Sequence, residues 1–170
     1  MRKGTEVILS DKLITEAYEV GKQRHLLARK NGVHDNQQSG SSWYIVDGEG
    51  VCGEMAFAQM TNAPESEWER IRTLQNLSAE KGTDLGDCLY KGLNVDVKTT
   101  KYSSGHLIIT TSKLNNLADA YALMTGFNGH YVFRGAISKQ RIKDEVSKFA
   151  LHDNGSIWIH QDHLKSLIVD

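Results

Sequence analysis

Asp87 and the triplet Asp96-x-Lys98 are the residues whose types and spacing best suit chemistry in this chain. They lie in DCLYKGLNVDVKTT, residues 87–100. If Lys91-Gly92 forms a two-residue hairpin loop, the glycine supplies the positive φ that such a turn needs, although lysine is a less usual first residue. Tyr90 then pairs with Leu93, Leu89 with Asn94, Cys88 with Val95 and Asp87 with Asp96. Directly opposed residues bring their Cβ atoms to about 4.5–5.5 Å on one face. Lys98 is two residues from Asp96 and shares that face. Val95 and Val97 point to the other face and, with Cys88, are expected in the core. Two ionised carboxylates face to face repel unless a cation lies between them or one keeps a proton. Hard oxygen donors favour Mg²⁺, with Mn²⁺ as a substitute. Lys98 binds no such metal, but beside one it can contact a phosphate or orient a water. The competing reading is a plain Asp-x-Lys ion pair with a structural role only.

The flanking sequence supplies elements to hold these groups. Ser10 as N-cap, the apolar face Leu13, Ile14, Ala17 and Tyr18, and the stop Asn31-Gly32 predict a helix over 10–31. Residues 34–42, HDNQQSGSS, read as a polar loop. Val51, Met55 and Ala58 recur at helical spacing and predict a second helix from about Gly50 to Thr61, with Glu54 beside the stripe. Trp68, Ile71, Leu74 and Leu77 suggest a third over 65–80. Strands are expected at 85–90, 93–100, 106–111, 120–125, 130–137 and 156–160, with a short helix over 138–148. Helices followed by a strand cluster and mixed elements predict an α/β or α+β domain, a mixed central sheet covered by helices. Asp84 competes with Asp87 for the first acidic position. Three residues apart on one extended strand, the two face opposite sides, and Asp87 is preferred.

The ordered series of motifs resembles the PD-(D/E)XK nuclease superfamily. It stands here as EGVCGEMAFA (49–58), GDCLYKGLNVDVKTT (86–100) and GHLIITT (105–111), with DAYALMTG (119–126) and YVFRGAIS (131–138) similar to that superfamily's later core strands. The resemblance spans roughly residues 48–145 and implies a restriction-endonuclease-like core, with 1–47 as an N-terminal helical extension. It also implies hydrolysis of phosphodiester bonds with Mg²⁺. Asp87 would be the first-strand metal ligand, Asp96 the second, Lys98 the lysine, and Glu54 the helix glutamate that completes the metal shell. The chain departs from the pattern in two places: no proline precedes Asp87, and the second acid is Asp instead of the commoner Glu. The resemblance further suggests a phage, plasmid or mobile element as source, which would place the protein in the host cytoplasm.

Bulk properties bound the rest. The chain has 170 residues, 39% hydrophobic and 24% charged, which suits one domain with a real core. No apolar run approaches the roughly 18 residues of a membrane span, and the N-terminus offers no secretory signal pattern. Two cysteines make no disulfide framework, so an intracellular compartment is expected. Residues 51–90 hold seven acids and three bases, residues 91–148 four acids and nine bases. That asymmetry fits a metal site beside a phosphate-binding surface, or chance clustering of solvated charge. Thr99, Lys101, Tyr102 and His106, with Arg134, Lys139 and Arg141, are candidate nucleic-acid contacts. The pair His160-x-x-His163, near His152 and Asp162, has no strong zinc spacing. The reading is a single-domain, Mg²⁺-dependent deoxyribonuclease, endonucleolytic ahead of exonucleolytic, with DNA as partner, a homodimer as an option and no membrane. The alternative is a catalytically inactive nucleic-acid-binding or assembly module on the same fold.

Overall fold

The computed structural model describes residues 1–32, 42–73, 87–115 and 117–167. Helix α1 (Asp11–Lys30) is capped as its sequence predicts. The Ser10 hydroxyl accepts the Leu13 N–H, Asp11 lies in the first turn, Arg29 and Lys30 lie in the last, and Asn31 closes the helix. Both sets of charges complement the helix dipole. Helix α2 (Trp43–Met60) begins well before the predicted Gly50. Gly48 and Gly50 each weaken a helix by about 1 kcal/mol in isolation, yet tertiary burial overrides this. A Cβ on Gly21 of α1 would fall 2.7 Å from backbone atoms of Asp47 and Gly48, so the two helices touch there backbone to backbone. Helix α3 (Glu65–Arg72) starts after Pro64 and buries Ile71. Leu74, Leu77 and Asp84, and most of the expected polar loop over 34–42, lie outside the described residues.

The strands are β1 (Glu6–Ile8), β2 (Cys88–Tyr90), β3 (Leu93–Thr100), β4 (Leu107–Thr110), β5 (Ala120–Phe127), β6 (His130–Ser138), β7 (Ala150–Leu151) and β8 (Ser156–Ile159), with helix α4 (Lys139–Asp144) after β6. Short β1 and β7 carry no sequence signal strong enough to predict them. Five strands form a mixed sheet in the order β1-β6-β5-β3-β2. The pair β3 and β5 is parallel, and the other pairs are antiparallel. The predicted third strand, β4, joins a separate small antiparallel sheet, β4-β8-β7. The fold is α+β, a mixed sheet flanked by helices, as the sequence predicts.

Alternation along β3 and β5 divides the interior in two. Val95, Val97, Ala122 and Met124 pack with α1 and α2 through Val20, Met55 and Phe57. Tyr121 and Leu123 pack on the small sheet through Leu107, Ile109, Ile157 and Ile159. Among the described residues, no helix is long and apolar enough to cross a membrane.

Candidate active site

The predicted hairpin register is the observed one. Cys88 pairs with Val95, Leu89 with Asn94 and Tyr90 with Leu93. Lys91 (φ 48°) and Gly92 (φ 83°) both take the left-handed conformation that a two-residue loop demands. The Asp87 N–H donates to Val95 O at 2.9 Å, which sets Asp87 opposite Asp96. Among the described residues, β2 starts at Cys88 and no strand pairs with the edge of β3 beyond Val97 on that side. The Asp87 side chain occupies its start: Oδ2 accepts the Val97 N–H at 2.6 Å. On the outer edge of β2, Glu67 of α3 accepts the Leu89 N–H at 2.7 Å. Such capping blunts a sheet edge that could otherwise recruit another strand.

Asp96 is 2% exposed and forms an ion pair with Lys98 on the same face of β3. Glu54 reaches the site from α2, buried, with both carboxylate oxygens bonded to Arg24 Nη1 at 2.8 and 2.9 Å. Arg24 Nη2 also donates to Ile71 O at 2.6 Å, so one guanidinium ties α1, α2 and the end of α3 together. Electrostatics link the acids. Burial, then the charges of Glu54 and Asp96, push the Asp87 carboxyl well above the usual range, against the weaker pull of Lys98 and the Val97 N–H. Burial alone would lower Lys98. The charges of Asp96, Asp87 and Glu54 outweigh it and hold the ammonium above its ordinary value.

Arg24, His25 and Asp47 line the same cleft of about 390 Å³ as Glu54, Asp87 and Lys98. The motif spacing in the sequence points to none of these three. A signal was present: Gly21, Arg24, His25 and Ala28 follow the i, i+3, i+4, i+7 stripe of a helix face, as do Asp47, Gly50, Val51 and Glu54. Polar residues that continue a buried stripe mark a lined cavity. A second cavity of about 510 Å³ shares Lys98 and Thr99 with the first and extends to Tyr102, His106 and Trp158.

The remaining candidates disperse. Lys101 and Arg134 line a shallower hollow, where Arg134 donates to Thr125 Oγ1 at 2.6 Å. Lys139 starts α4, its N–H bonded to Asp119 O. Arg141 is engaged with His163 O at 2.9 Å and with Glu145. His160 pairs with neighbouring Asp162 at 3.1 Å. Cys52 and Cys88 are buried, and burial pushes the Cys52 thiol up to about 12, as suits small core residues. Glu49, in the same motif as Glu54, is a structural acid. It accepts from Tyr18 OH at 2.7 Å, from Tyr131 OH and from the Asn128 N–H.

Among the described residues, no three His, Cys, Asp or Glu side chains form a ready metal shell. Each acid of the set already has a partner: Arg24 for Glu54, the Val97 N–H for Asp87, Lys98 for Asp96. The chemistry of the donor set nonetheless fits a hard divalent cation. Glu54 and Asp96 both act on Asp87, whose carboxyl is raised by burial and then by their charges. No protein-family model, curated protein or solved structure matches the chain.

Proposed function

We propose that this chain is a metal-dependent nuclease that hydrolyses phosphodiester bonds in DNA. The observation that carries the reading is Asp87 set opposite the Asp96-x-Lys98 triplet, with Glu54 of α2 facing the same cleft. Glu54, Asp87 and Asp96 would hold Mg²⁺ or Mn²⁺. When bound, such an ion polarises a phosphate and acidifies a water.

The chain's own groups define the rest. Lys98 is a poor general base, since its acidic neighbours hold the proton on Nζ. It serves as a fixed positive charge, 33% exposed along its side chain, that attracts the phosphate and offsets negative charge developing during attack. Asp96 orients that ammonium. The Val97 N–H fixes one oxygen of Asp87 and leaves the other for a cation. Arg24 neutralises Glu54 while the carboxylate awaits one.

The test is incubation of the full chain with circular and linear DNA, single- and double-stranded, with Mg²⁺, Mn²⁺ or chelator. Metal-dependent cutting, lost in Asp96→Asn and Lys98→Ala, supports the reading, and cutting of circles makes the activity endonucleolytic. The Arg24–Glu54 pair favours one second reading, a non-catalytic nucleic-acid-binding module whose glutamate is permanently neutralised. DNA binding with no cleavage in either metal would select it.

A further inference from the structure

Lys98 stands where two cavities meet, and each carries an aromatic group. On one side the His25 ring stacks on Trp43, with centroids 4.1 Å apart and planes 19° from parallel. His25 Nδ1 is held by Asp47 Oδ2 at 2.7 Å. His25 lines that cavity, and Trp43, 38% exposed, stands outside its lining. On the other side His106 lies against Trp158, centroids 5.9 Å apart, and Tyr102 is 64% exposed with Lys101 Nζ 5.4 Å from its ring.

Charge separates the two sides. Glu54, Asp87 and Asp47 line the first. Among the described residues lining the second there is no carboxylate; Lys98, the hydroxyls of Thr100 and Ser104, and His106 face it instead. A surface of cation, hydroxyl and aromatic ring complements a phosphodiester strand, the rings taking base faces and the polar groups the backbone. In a duplex both faces of each base are covered by its neighbours. Exposed rings in a groove are therefore useful only to bases that are not stacked in a helix.

We propose that the groove through Lys98 takes an unpaired DNA strand, with a base beside the central phosphate stacked on Tyr102. This rests on the nuclease reading for the role of Lys98, and it adds the substrate class: single-stranded or locally frayed DNA.

The experiment is fluorescence anisotropy of the full chain in chelator, with a labelled oligothymidylate and a hairpin duplex of equal length. Binding to the single strand is expected to be at least about tenfold tighter. Tyr102→Ala should weaken it about five- to a hundredfold, since one stacked base is worth about 1–3 kcal/mol. Tyr102→Phe, which keeps the ring, should retain most of the affinity. Circular dichroism melts screen each variant for folding. Equal affinity for duplex and single strand, or a Tyr102→Ala variant that folds and binds like the parent, would overturn the proposal. Cleavage assays in Mn²⁺ separate the two readings. Duplex cutting without single-strand preference removes the groove and keeps the nuclease, whereas ring-dependent single-strand binding without cutting removes the nuclease and keeps the groove.

Discussion

Arg24 Nη1 bonds both carboxylate oxygens of Glu54, at 2.8 and 2.9 Å, across the α1–α2 interface. The pair is mostly buried, and the same guanidinium closes on Ile71 O. Arg24→Met leaves Glu54 as an uncompensated buried charge, which costs about 3–5 kcal/mol. The expected result is a Tm lower by several degrees in chelator. Divalent cation then supplies the charge that the guanidinium gave, so the stabilisation by Mn²⁺ should be larger in Arg24→Met than in the parent. Differential scanning fluorimetry with and without metal measures both. Equal metal shifts in the two proteins count against Glu54 as a ligand.

Asp87 gives a pH prediction. Burial and the charges of Glu54 and Asp96 raise its folded carboxyl well above the ordinary value. The folded chain thus binds a proton that the unfolded chain has released. Stability from this group is complete below the ordinary aspartate range and is lost as pH rises through the raised value. Asp87→Asn removes that loss, and its amide oxygen can still accept the Val97 N–H. In chelator, Asp87→Asn should be more stable than the parent at neutral pH, with a flatter dependence of Tm on pH. Cleavage should fall to background in the same variant.

Lys98→Met keeps the length of the side chain and removes its charge. Asp96, 2% exposed, loses its partner, so a drop of about 3 kcal/mol in stability is expected. Activity should fall about a hundredfold or more. Lys98→Arg should recover most of the stability and less of the activity, because the guanidinium is larger and its donors differ in direction. Chemical denaturation and a cleavage time course separate the two effects. Equal recovery of both would reduce Lys98 to a structural partner of Asp96.

Gly53 is a point of close approach between α2 and β3. A Cβ there would fall 1.8 Å from Thr99 Oγ1 and 2.9 Å from Thr99 Cβ. That hydroxyl has no hydrogen-bond partner among the described residues. Gly53→Ala must displace the Thr99 side chain or the helix and is expected to cost about 2 kcal/mol or more. Thr99→Ala removes the nearest atom at little cost, and the double variant should recover part of the loss. Urea denaturation of the four proteins gives the coupling. Additive effects would mean that the helix does not rest on Thr99.

The share of this site that was legible in the sequence is the local share. A two-residue loop fixes a hairpin register, and strand alternation fixes a face, so Asp87, Asp96 and Lys98 could be set together from spacing alone. Capping residues likewise bounded α1. What only the tertiary structure decided depends on how the helices meet. Glycine in α2 reads as a helix stop until Gly21 of α1 is found against Asp47 and Gly48. Glu49 and Glu54 share one motif, yet one is locked between two tyrosines and the other faces the cleft with Arg24. Chain position sets which face of an element a residue occupies. Which partner waits across that face is set by packing between segments far apart in sequence, and that is why Arg24, His25 and Asp47 came to light only in three dimensions.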